Sequence, residues 1–338
     1  QGVSVFAGQP RPEDGILGSA TLLQAKRYPA TNVHRFKGPF YLLSQPNIIA
    51  WLEAWQPDVL IAEANRRNLS LPDAVHWMHA HQHKVIGWGL GAPQSDSALG
   101  GLQQALRSRF LKQFDALITY SQLGAGQYRA AGFPSERIFV APNAVAPRPA
   151  QVAPQRPAGF KDGKPVVLFV GRLQARKRLE LLLQACAALP QALQPRLVIV
   201  GDGPEHPALK ALADQLYPTT EFTGAKEGAE LDAYFDAADL FVLPGTGGLA
   251  VQQAMSHALP VIAAEADGTQ SDLVRPGNGW QLPPGDLQTL IRTLGYALSD
   301  ATRLRQMGQA SYHIVSNEIN LEAMVTAFGR AISAVLSS

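Results

Sequence analysis

The chain has 338 residues, more than one hydrophobic core commonly covers, so two domains of roughly 150 residues each are expected. Apolar residues make up 46% of it and charged residues only 17%, which excludes a largely disordered chain. The net charge of +2 gives no reason to expect a wide nucleic-acid-binding face, although it leaves room for a local phosphate pocket.

The single cysteine and the short apolar runs argue against a disulfide within the chain and against a membrane-spanning helix. Cys186 cannot form a disulfide within the chain, and it falls on the apolar stripe of a predicted helix, where a buried small hydrophobe is expected. The uninterrupted apolar runs are far shorter than the roughly 18 residues of a membrane span, so no spanning helix is expected. The chain opens without methionine on a strand pattern, and we expect further residues to precede Gln1.

The first part of the chain alternates short Val- and Ile-rich runs with stretches long enough for helices, which predicts a parallel sheet wrapped by helices. The runs are VSVFAG, PDVLIAE, KVIGWGL, ALITYS and IFVAPN. A helix is predicted from Ser97 to Phe114, with Leu106 and Phe110 on its apolar face. Its cations Arg107, Arg109 and Lys112 form either a solvated face or a surface that attracts an anionic acceptor or a membrane.

Four histidines precede KVIGWGL, at His76, His79, His81 and His83. Their spacing would allow a zinc pair, but neither a third ligand nor a cysteine accompanies them. The sequence therefore predicts a solvated helix face and no metal site.

A proline- and glycine-dense stretch between Ala146 and Lys164 is the best candidate for a domain linker. A second set of strands follows it, and helical segments separate these strands. The sequence thus predicts an α/β protein with two Rossmann-like, doubly wound domains facing a cleft. We assign residues 1–148 to an N-terminal domain, 149–315 to a C-terminal domain, and 316–338 to a helix that packs back toward the N-terminal domain, with Leu321, Val325 and Val335 on its apolar face.

Three segments after strands of the second domain could bind a phosphate. In FVGRLQARKRLELLL, cations at Arg172, Arg176, Lys177 and Arg178 lie between a strand end and a helix start, although a solvated basic loop is an equal alternative. In IVGDGPE, Gly201 and Gly203 form either a phosphate turn or a plain tight turn. A dinucleotide fingerprint would need glycine where His206 stands, which disfavours a nicotinamide oxidoreductase.

The third segment is PGTGGLAVQQAM, in which a strand enters a turn containing Gly245, Gly247 and Gly248. Glycine permits a sharp bend or a close ligand, and the helix that begins near Leu249 aims free amides at the turn. A glycine-rich turn without a ligand is the alternative. Because all three segments lie at the sheet edge where doubly wound folds bind ligands, together they favour an anion site.

Five ordered stretches resemble the retaining nucleotide-sugar glycosyltransferases of family 4, which have the GT-B architecture. They are ALITYSQLGAGQYRAAGFPSERIFVAPNAV, VLFVGRLQARKRLELLLQAC, LVIVGDGPE, EFTGA and LDAYFDAADLFVLP with QQAMSHALPVIAAEADGTQSDLV. The resemblance is strongest from about Ala116 to Gly285. It implies that residues 1–148 form an acceptor-binding domain that lacks its first strand and that residues 149–315 bind the nucleotide-sugar donor.

The resemblance implies that Arg172 and Lys177 act on the donor diphosphate as the catalytic cations. It implies a base-binding turn and a family E-x7-E pattern whose two positions fall here on Gly245 and Gln253, so both carboxylates are missing; the amide of Gln253 is a neutral substitute. The implied donor-binding residues are Gly171, Gly201, Gly203, Gly224, Ala225, Lys226, Gly245, Thr246, Gly247, Gly248, Leu249 and Gln253.

The implied function is transfer of a sugar, with retention, from a nucleotide-diphosphate sugar to a hydroxyl of a glycan or lipid-linked acceptor in bacterial polysaccharide synthesis. No metal or other cofactor and no nucleic acid is expected. A catalytically silent nucleotide-sugar or glycan-binding protein is the alternative. We expect a cytoplasmic location and leave peripheral association with the inner face of the membrane open; the oligomeric state is not determined by the sequence.

Overall fold

A computed structural model describes residues 2–9, 24–36, 40–92, 100–150 and 152–337. The chain divides into two compact units. The first comprises Gln1–Thr119, Gly124–Val140 and Phe328–Ser338, and the second comprises Tyr120–Leu123 and Ala141–Ala327.

The first unit is built on a four-stranded parallel sheet in the order β5-β6-β7-β8, beside the two-stranded pairs β1-β2 and β3-β4. Its strands are β1 Ser4–Ala7, β2 Lys26–Pro29, β3 Val33–Arg35, β4 Leu42–Ser44, β5 Val59–Glu63, β6 Lys84–Gly89, β7 Ala116–Thr119 and β8 Ile138–Val140. The helices of this part of the chain are α1 Ile48–Trp55, α2 Leu71–Ala80, α3 Gly100–Leu111 and α4 Gln122–Ala130.

The second unit is built on a six-stranded, wholly parallel sheet in the order β11-β10-β9-β12-β13-β14. Its strands are β9 Val166–Val170, β10 Arg196–Val200, β11 Glu221–Phe222, β12 Leu240–Leu243, β13 Val261–Ala264 and β14 Gly279–Leu282. The remaining helices of the chain are α5 Leu179–Ala188, α6 His206–Leu216, α7 Gly228–Ala237, α8 Leu249–Ser256, α9 Thr269–Leu273, α10 Leu287–Leu298, α11 Ala301–Asn317 and α12 Leu321–Leu336.

The strand order of the second sheet creates a switch point between β9 and β12. The chain enters at β9, adds β10 and β11 on one side, and then returns to add β12, β13 and β14 on the other. In open parallel sheets the loops diverge at such a point and leave a crevice at the carboxyl ends of the strands. The strands themselves are almost fully apolar and buried, as is typical of a sheet covered by helices on both faces.

The apolar runs predicted the strands of both main sheets, because buried parallel strands are short runs of Val, Ile and Leu bounded by turn residues, whereas β2, β3 and β4 lie outside these runs. Each predicted run contains a strand. Cys186 is 0% exposed on α5, as expected, and burial raises the pKa of its thiol to about 12.

Three helix details differ from the expectation. α3 is described only from Gly100 onward, so the predicted start at Ser97 lies outside the described residues, and Leu106 is exposed rather than packed. Val325, predicted on the apolar face of α12, is 65% exposed, because the buried stripe consists of Ala327, Ala331 and Val335. His81 and His83 follow the end of α2, and the ring of His81 stacks on that of Trp77 at 4.1 Å.

One stretch, Ala301–Leu336, contains a window with a mean hydropathy of 1.3 and is long and apolar enough to cross a membrane, by length and composition only. Core helices of soluble proteins pass the same test. Inspection of uninterrupted apolar runs did not single it out. The stretch is broken at residues 318–320, where buried Asn320 donates to Val315 O at 2.7 Å and accepts from Ala323 N at 2.8 Å. It is therefore two helices, α11 and α12.

Candidate functional site

The loops that follow β9 and β12 interlock at the switch point of the second sheet. The amide of Thr246 donates to the carbonyl of Arg176 at 3.0 Å, and the Lys177 ammonium donates to the carbonyl of Thr246 at 2.6 Å. The Arg176 guanidinium also donates to the Thr246 hydroxyl at 3.2 Å. The glycine turn and the cationic loop, two separate predictions from sequence, therefore form one structure.

Gly245 faces the backbone of the cationic loop and has no room for a side chain. A Cβ there would collide with the carbonyl oxygen of Arg176 and with the main chain of Lys177. The two loops therefore pack so closely that the first position of the E-x7-E pattern has no space for a side chain. A carboxylate at 245 would require the turn containing Arg176 and Lys177 to move.

Gly247 and Gly248 complete the turn and lead into α8. Gly247 has φ 146°, in the region that favours glycine, and its carbonyl accepts from the Gln270 side-chain amide at 2.6 Å. A Cβ on Gly247 would overlap the Lys177 ammonium, and one on Gly248 would lie 2.9 Å from the Thr269 hydroxyl. Side chains of both flanking loops thus use the space that the glycines leave.

The described residues offer no hydrogen-bond partner to the backbone N–H groups of Gly247, Gly248 and Leu249. Gly248 is the N-cap of α8, and an N-cap carries the positive end of the helix dipole. Free amides and a helix N-terminus beside an ammonium group are the components of an anion site.

Lys177 is electrostatically poised. The pKa of its ammonium is lowered from 10.5 to about 8, first by burial and then by the neighbouring Arg176 cation, and Asp267 partly opposes this shift. An anion that approached this ammonium would favour its charged form. Arg172 lies on the same loop, directly after Gly171 at the end of β9, and is half-buried.

The glycines after β9 and β10 allow the neighbouring loops to pack closely against each other. The Gly171 amide donates to Val200 O at 3.0 Å. A Cβ on Gly201 would collide with Gly171 O, and one on Gly203 with the main chain of Leu173. The small size of Gly201 and Gly203 is therefore already required by loop packing.

The turn after β11 begins at Gly224, which has φ 72° and no atom near the position of a Cβ. The carbonyl of Gly224 accepts from the amide of Gly201 at 2.8 Å, so the turn lies beside the loop that follows β10. Ala225 and Lys226 follow, and the Lys226 ammonium lies 3.3 Å from a Glu230 carboxylate oxygen. The ring of His206, the first residue of α6, lies 5.4 Å from the ring of Phe222 at the end of β11.

The two glutamines of α8 differ in their surroundings. Gln252 is 0% exposed; its amide oxygen accepts from Val145 N and Ala146 N, and its amide nitrogen donates to Ala146 O and Ile319 O. Gln253 lines a groove of about 340 Å³ that contains no residue of the glycine turn. The other residues of the groove are Val145, Ala146, Pro147, Pro149, Asp232, Ser256 and His257.

Sequence reasoning missed two of these residues. It singled out the glutamine pair of α8 but assigned no structural role to Gln252, and it passed over Gln270. The signal for Gln270 was an uncharged polar residue immediately after a Gly-Thr turn at a strand end. Within the described part of the chain, no group of three or more histidine, cysteine, aspartate or glutamate side chains could hold a metal ion.

Two family models together match most of the chain. The model of a glycosyl transferase 4-like domain matches residues 3–144, and the model of glycosyl transferases group 1 matches residues 153–314. The chain belongs to the GT-B glycosyltransferases of the family 4 type. The predicted fold class of two Rossmann-like α/β domains is confirmed.

Relatives by sequence include sulfoquinovosyl transferase SQD2 of Arabidopsis thaliana, 35% identical over 44% of this chain and 29% of its own. The amylovoran biosynthesis glycosyltransferase AmsK of Erwinia amylovora is 30% identical over 55% of this chain and 48% of its own. The GDP-mannose-dependent alpha-(1-6)-phosphatidylinositol monomannoside mannosyltransferase of Mycolicibacterium smegmatis is 27% identical over 78% and 70%. The chain thus spans about half or less of the length of the first two.

Solved structures share the fold at low identity. Anabaena HepE, solved in complex with UDP, superposes with a TM-score of 0.67 at 19% identity, over 86% of this chain and 82% of its own. A glycosyltransferase from Rickettsia africae has a TM-score of 0.68 at 15% identity, over 92% and 85%.

Proposed function

We propose that the protein is a retaining glycosyltransferase that moves a sugar from a nucleotide-diphosphate sugar to a hydroxyl of a glycan or lipid-linked acceptor in bacterial glycoconjugate synthesis. Family membership supports the reaction class. The observation that carries the proposal is the interlock of the β9 and β12 loops, which brings the Lys177 ammonium to the turn with the free amides of Gly247 and Gly248.

The chemistry asked of this site is stabilisation of negative charge. As the bond between the anomeric carbon and the phosphate oxygen breaks, charge accumulates on the diphosphate leaving group. Fixed cations and backbone amides lower the barrier when their interaction with this developing charge is stronger than their interaction with the bound donor. The effect is typically about 3 to 4 kcal/mol for one hydrogen-bond donor. Arg172, Lys177 and the amides at Gly248 and Leu249 are proposed for this role, without a metal ion or other cofactor.

Retention implies that the acceptor hydroxyl attacks from the face on which the leaving group departs, and that a phosphate oxygen takes the hydroxyl proton. The proposal includes a cytoplasmic location with acceptors at the inner face of the membrane. One structural neighbour was solved with UDP and one relative is named as GDP-mannose-dependent, so the donor base is a variable of the test.

The test is donor turnover with a panel of UDP-, GDP- and ADP-sugars, followed by transfer to glycan and lipid-linked acceptors. Arg172→Ala and Lys177→Ala should each nearly abolish turnover while leaving thermal unfolding unchanged. Lys210→Ala, which removes an exposed cation on α6, is the matched control and should retain turnover. Wild-type turnover in both site variants would refute the diphosphate assignment.

A catalytically silent nucleotide-sugar or glycan-binding protein is the second candidate. It is favoured by one observation, the lack of space for a carboxylate at Gly245. The same panel separates the two candidates. Tight nucleotide-sugar or glycan binding with neither hydrolysis nor transfer of any donor would favour the silent protein, whereas slow hydrolysis of one donor would favour the enzyme.

A further inference from the structure

Gln270 is a buried glutamine that contacts the glycine turn from the side of β13. It lies on α9 and is 1% exposed. Its amide nitrogen donates to the carbonyl of Gly247 at 2.6 Å, while its amide oxygen is buried and has no partner among the described residues. A buried acceptor without a partner costs free energy, so the bond donated to Gly247 is what the amide contributes at this position.

That bond fixes the orientation of one peptide plane. In a trans peptide the carbonyl and the following N–H point in nearly opposite directions, so the N–H of Gly248 points away from Gln270. The plane lies between Gly247 and Gly248, and glycine leaves the backbone unusually free to rotate. Without a hydrogen bond to its carbonyl, this peptide could rotate and point its N–H in another direction at little cost in free energy.

The neighbouring peptide has a clamp of its own. The Lys177 ammonium holds the carbonyl of Thr246, one residue earlier in the turn, at 2.6 Å. Two successive carbonyls are thus held by two side chains that come from different loops. Lys177 was implied by resemblance, whereas the sequence analysis assigned no role to Gln270.

We propose that Gln270 is a positioning residue for the donor diphosphate: it holds the Gly247–Gly248 peptide so that the Gly248 N–H is available to a phosphate oxygen. The inference rests on the proposed function. In this inference Gln270 does not contact the donor. It acts through the backbone of the glycine turn, which the proposed site uses.

Two substitutions separate this role from simple packing. Gln270→Met keeps the length and volume of the side chain but cannot donate a hydrogen bond. Gln270→Glu introduces a carboxyl that can donate to the carbonyl only while it is protonated, so its effect should depend on pH.

The chain offers a matched control in Gln281. Its amide nitrogen donates to the carbonyl of Val274, also at 2.6 Å, just past the other end of α9. Gln281→Met therefore removes the same kind of bond from the same region without touching the glycine turn.

The experiment is calorimetric titration of wild type and variants with UDP, GDP and ADP, and with the corresponding nucleosides. For the nucleoside diphosphate that the wild type binds, Gln270→Met should weaken binding about tenfold, as expected for the loss of one hydrogen-bonded contact. The affinity for the parent nucleoside should not change, and Gln281→Met should leave both affinities unchanged. In Gln270→Glu the dissociation constant should rise between pH 5 and 7.5 relative to that of the wild type. The ionisation of the ligand phosphate affects both proteins equally and cancels in this ratio.

The outcomes are distinct. Unchanged diphosphate affinity in Gln270→Met, or an equal loss for nucleoside and diphosphate, would overturn the inference while leaving the proposed function intact. Failure of the wild type to bind any nucleoside diphosphate would overturn both.

Discussion

The lowered pKa of Lys177 predicts that nucleotide binding weakens at alkaline pH. Burial, and then the proximity of Arg176, bring the pKa of the free ammonium to about 8. A bound diphosphate favours the charged form and so raises that pKa. Below pH 7 the ammonium is already charged in the free protein, and above pH 8 it must take up a proton when the diphosphate binds.

The size of the effect follows from this titration. If the complex keeps Lys177 charged, the dissociation constant increases by the factor 1 + 10^(pH − pKa). With a pKa of about 8, the dissociation constant increases about twofold at pH 8 and about elevenfold at pH 9 relative to pH 6.5. The secondary phosphate ionisation has a pKa near 6, so the ligand charge is nearly constant above pH 7.

Calorimetric titration of a nucleoside diphosphate from pH 6.5 to 9 measures this profile, and buffers of different ionisation enthalpy report the proton uptake. Lys177→Arg keeps its charge throughout this range, so its profile should be flat where the wild type rises. Base ionisation affects both proteins equally and cancels in the ratio of their dissociation constants. Lys210→Arg should behave as the wild type. A flat wild-type profile, or the same rise in Lys177→Arg, would refute the reasoning.

Three further predictions concern folding and accessibility. Gly245→Glu should lower the free energy of unfolding by about 1 to 3 kcal/mol, because its Cβ would collide with the main chain at Arg176, whereas Gly277→Glu at an open position should not; equal thermal unfolding of the two would contradict this. Gln252→Leu removes the acceptor of the Val145 and Ala146 amides and the donor to the buried Ile319 carbonyl, and should cost about 2 kcal/mol in urea denaturation; an unchanged midpoint would argue against this role of Gln252. Cys186 should react with a thiol reagent only after unfolding, so prompt labelling of the native protein would show that its burial is wrong.

Local sequence patterns predicted many of the strands and turns of this protein. The strand at Val166–Val170 and the strand at Leu240–Leu243 are legible because buried parallel strands need consecutive apolar residues. The turns that follow these strands can be predicted because glycines and cations lie between the end of a strand and the start of the next helix. These are properties of neighbours in the chain, so a window of a few residues contains them.

Pattern failed where partners are distant in sequence. α12 was expected to bury Val325, but its buried stripe is rotated toward Ala327, because the surface that a helix meets decides which face is covered. Gln253 lines a groove that contains no residue of the glycine turn, and its role as a neutral substitute for a carboxylate stays a prediction. Neither outcome could be derived from spacing along one helix.

The sequence by itself determined the two α/β units, the order of their strands along the chain, and the glycine and cation segments at the strand ends, since these depend on residues a few positions apart. Only the tertiary structure decided that Gly245 lies against Arg176 and Lys177, and that Gln270 and Lys177 hold successive carbonyls of one turn. The physical reason is that β9, β12 and α9 meet at the sheet edge through close packing and directional hydrogen bonds, and such contacts join residues 23 and 69 positions apart that no local pattern relates.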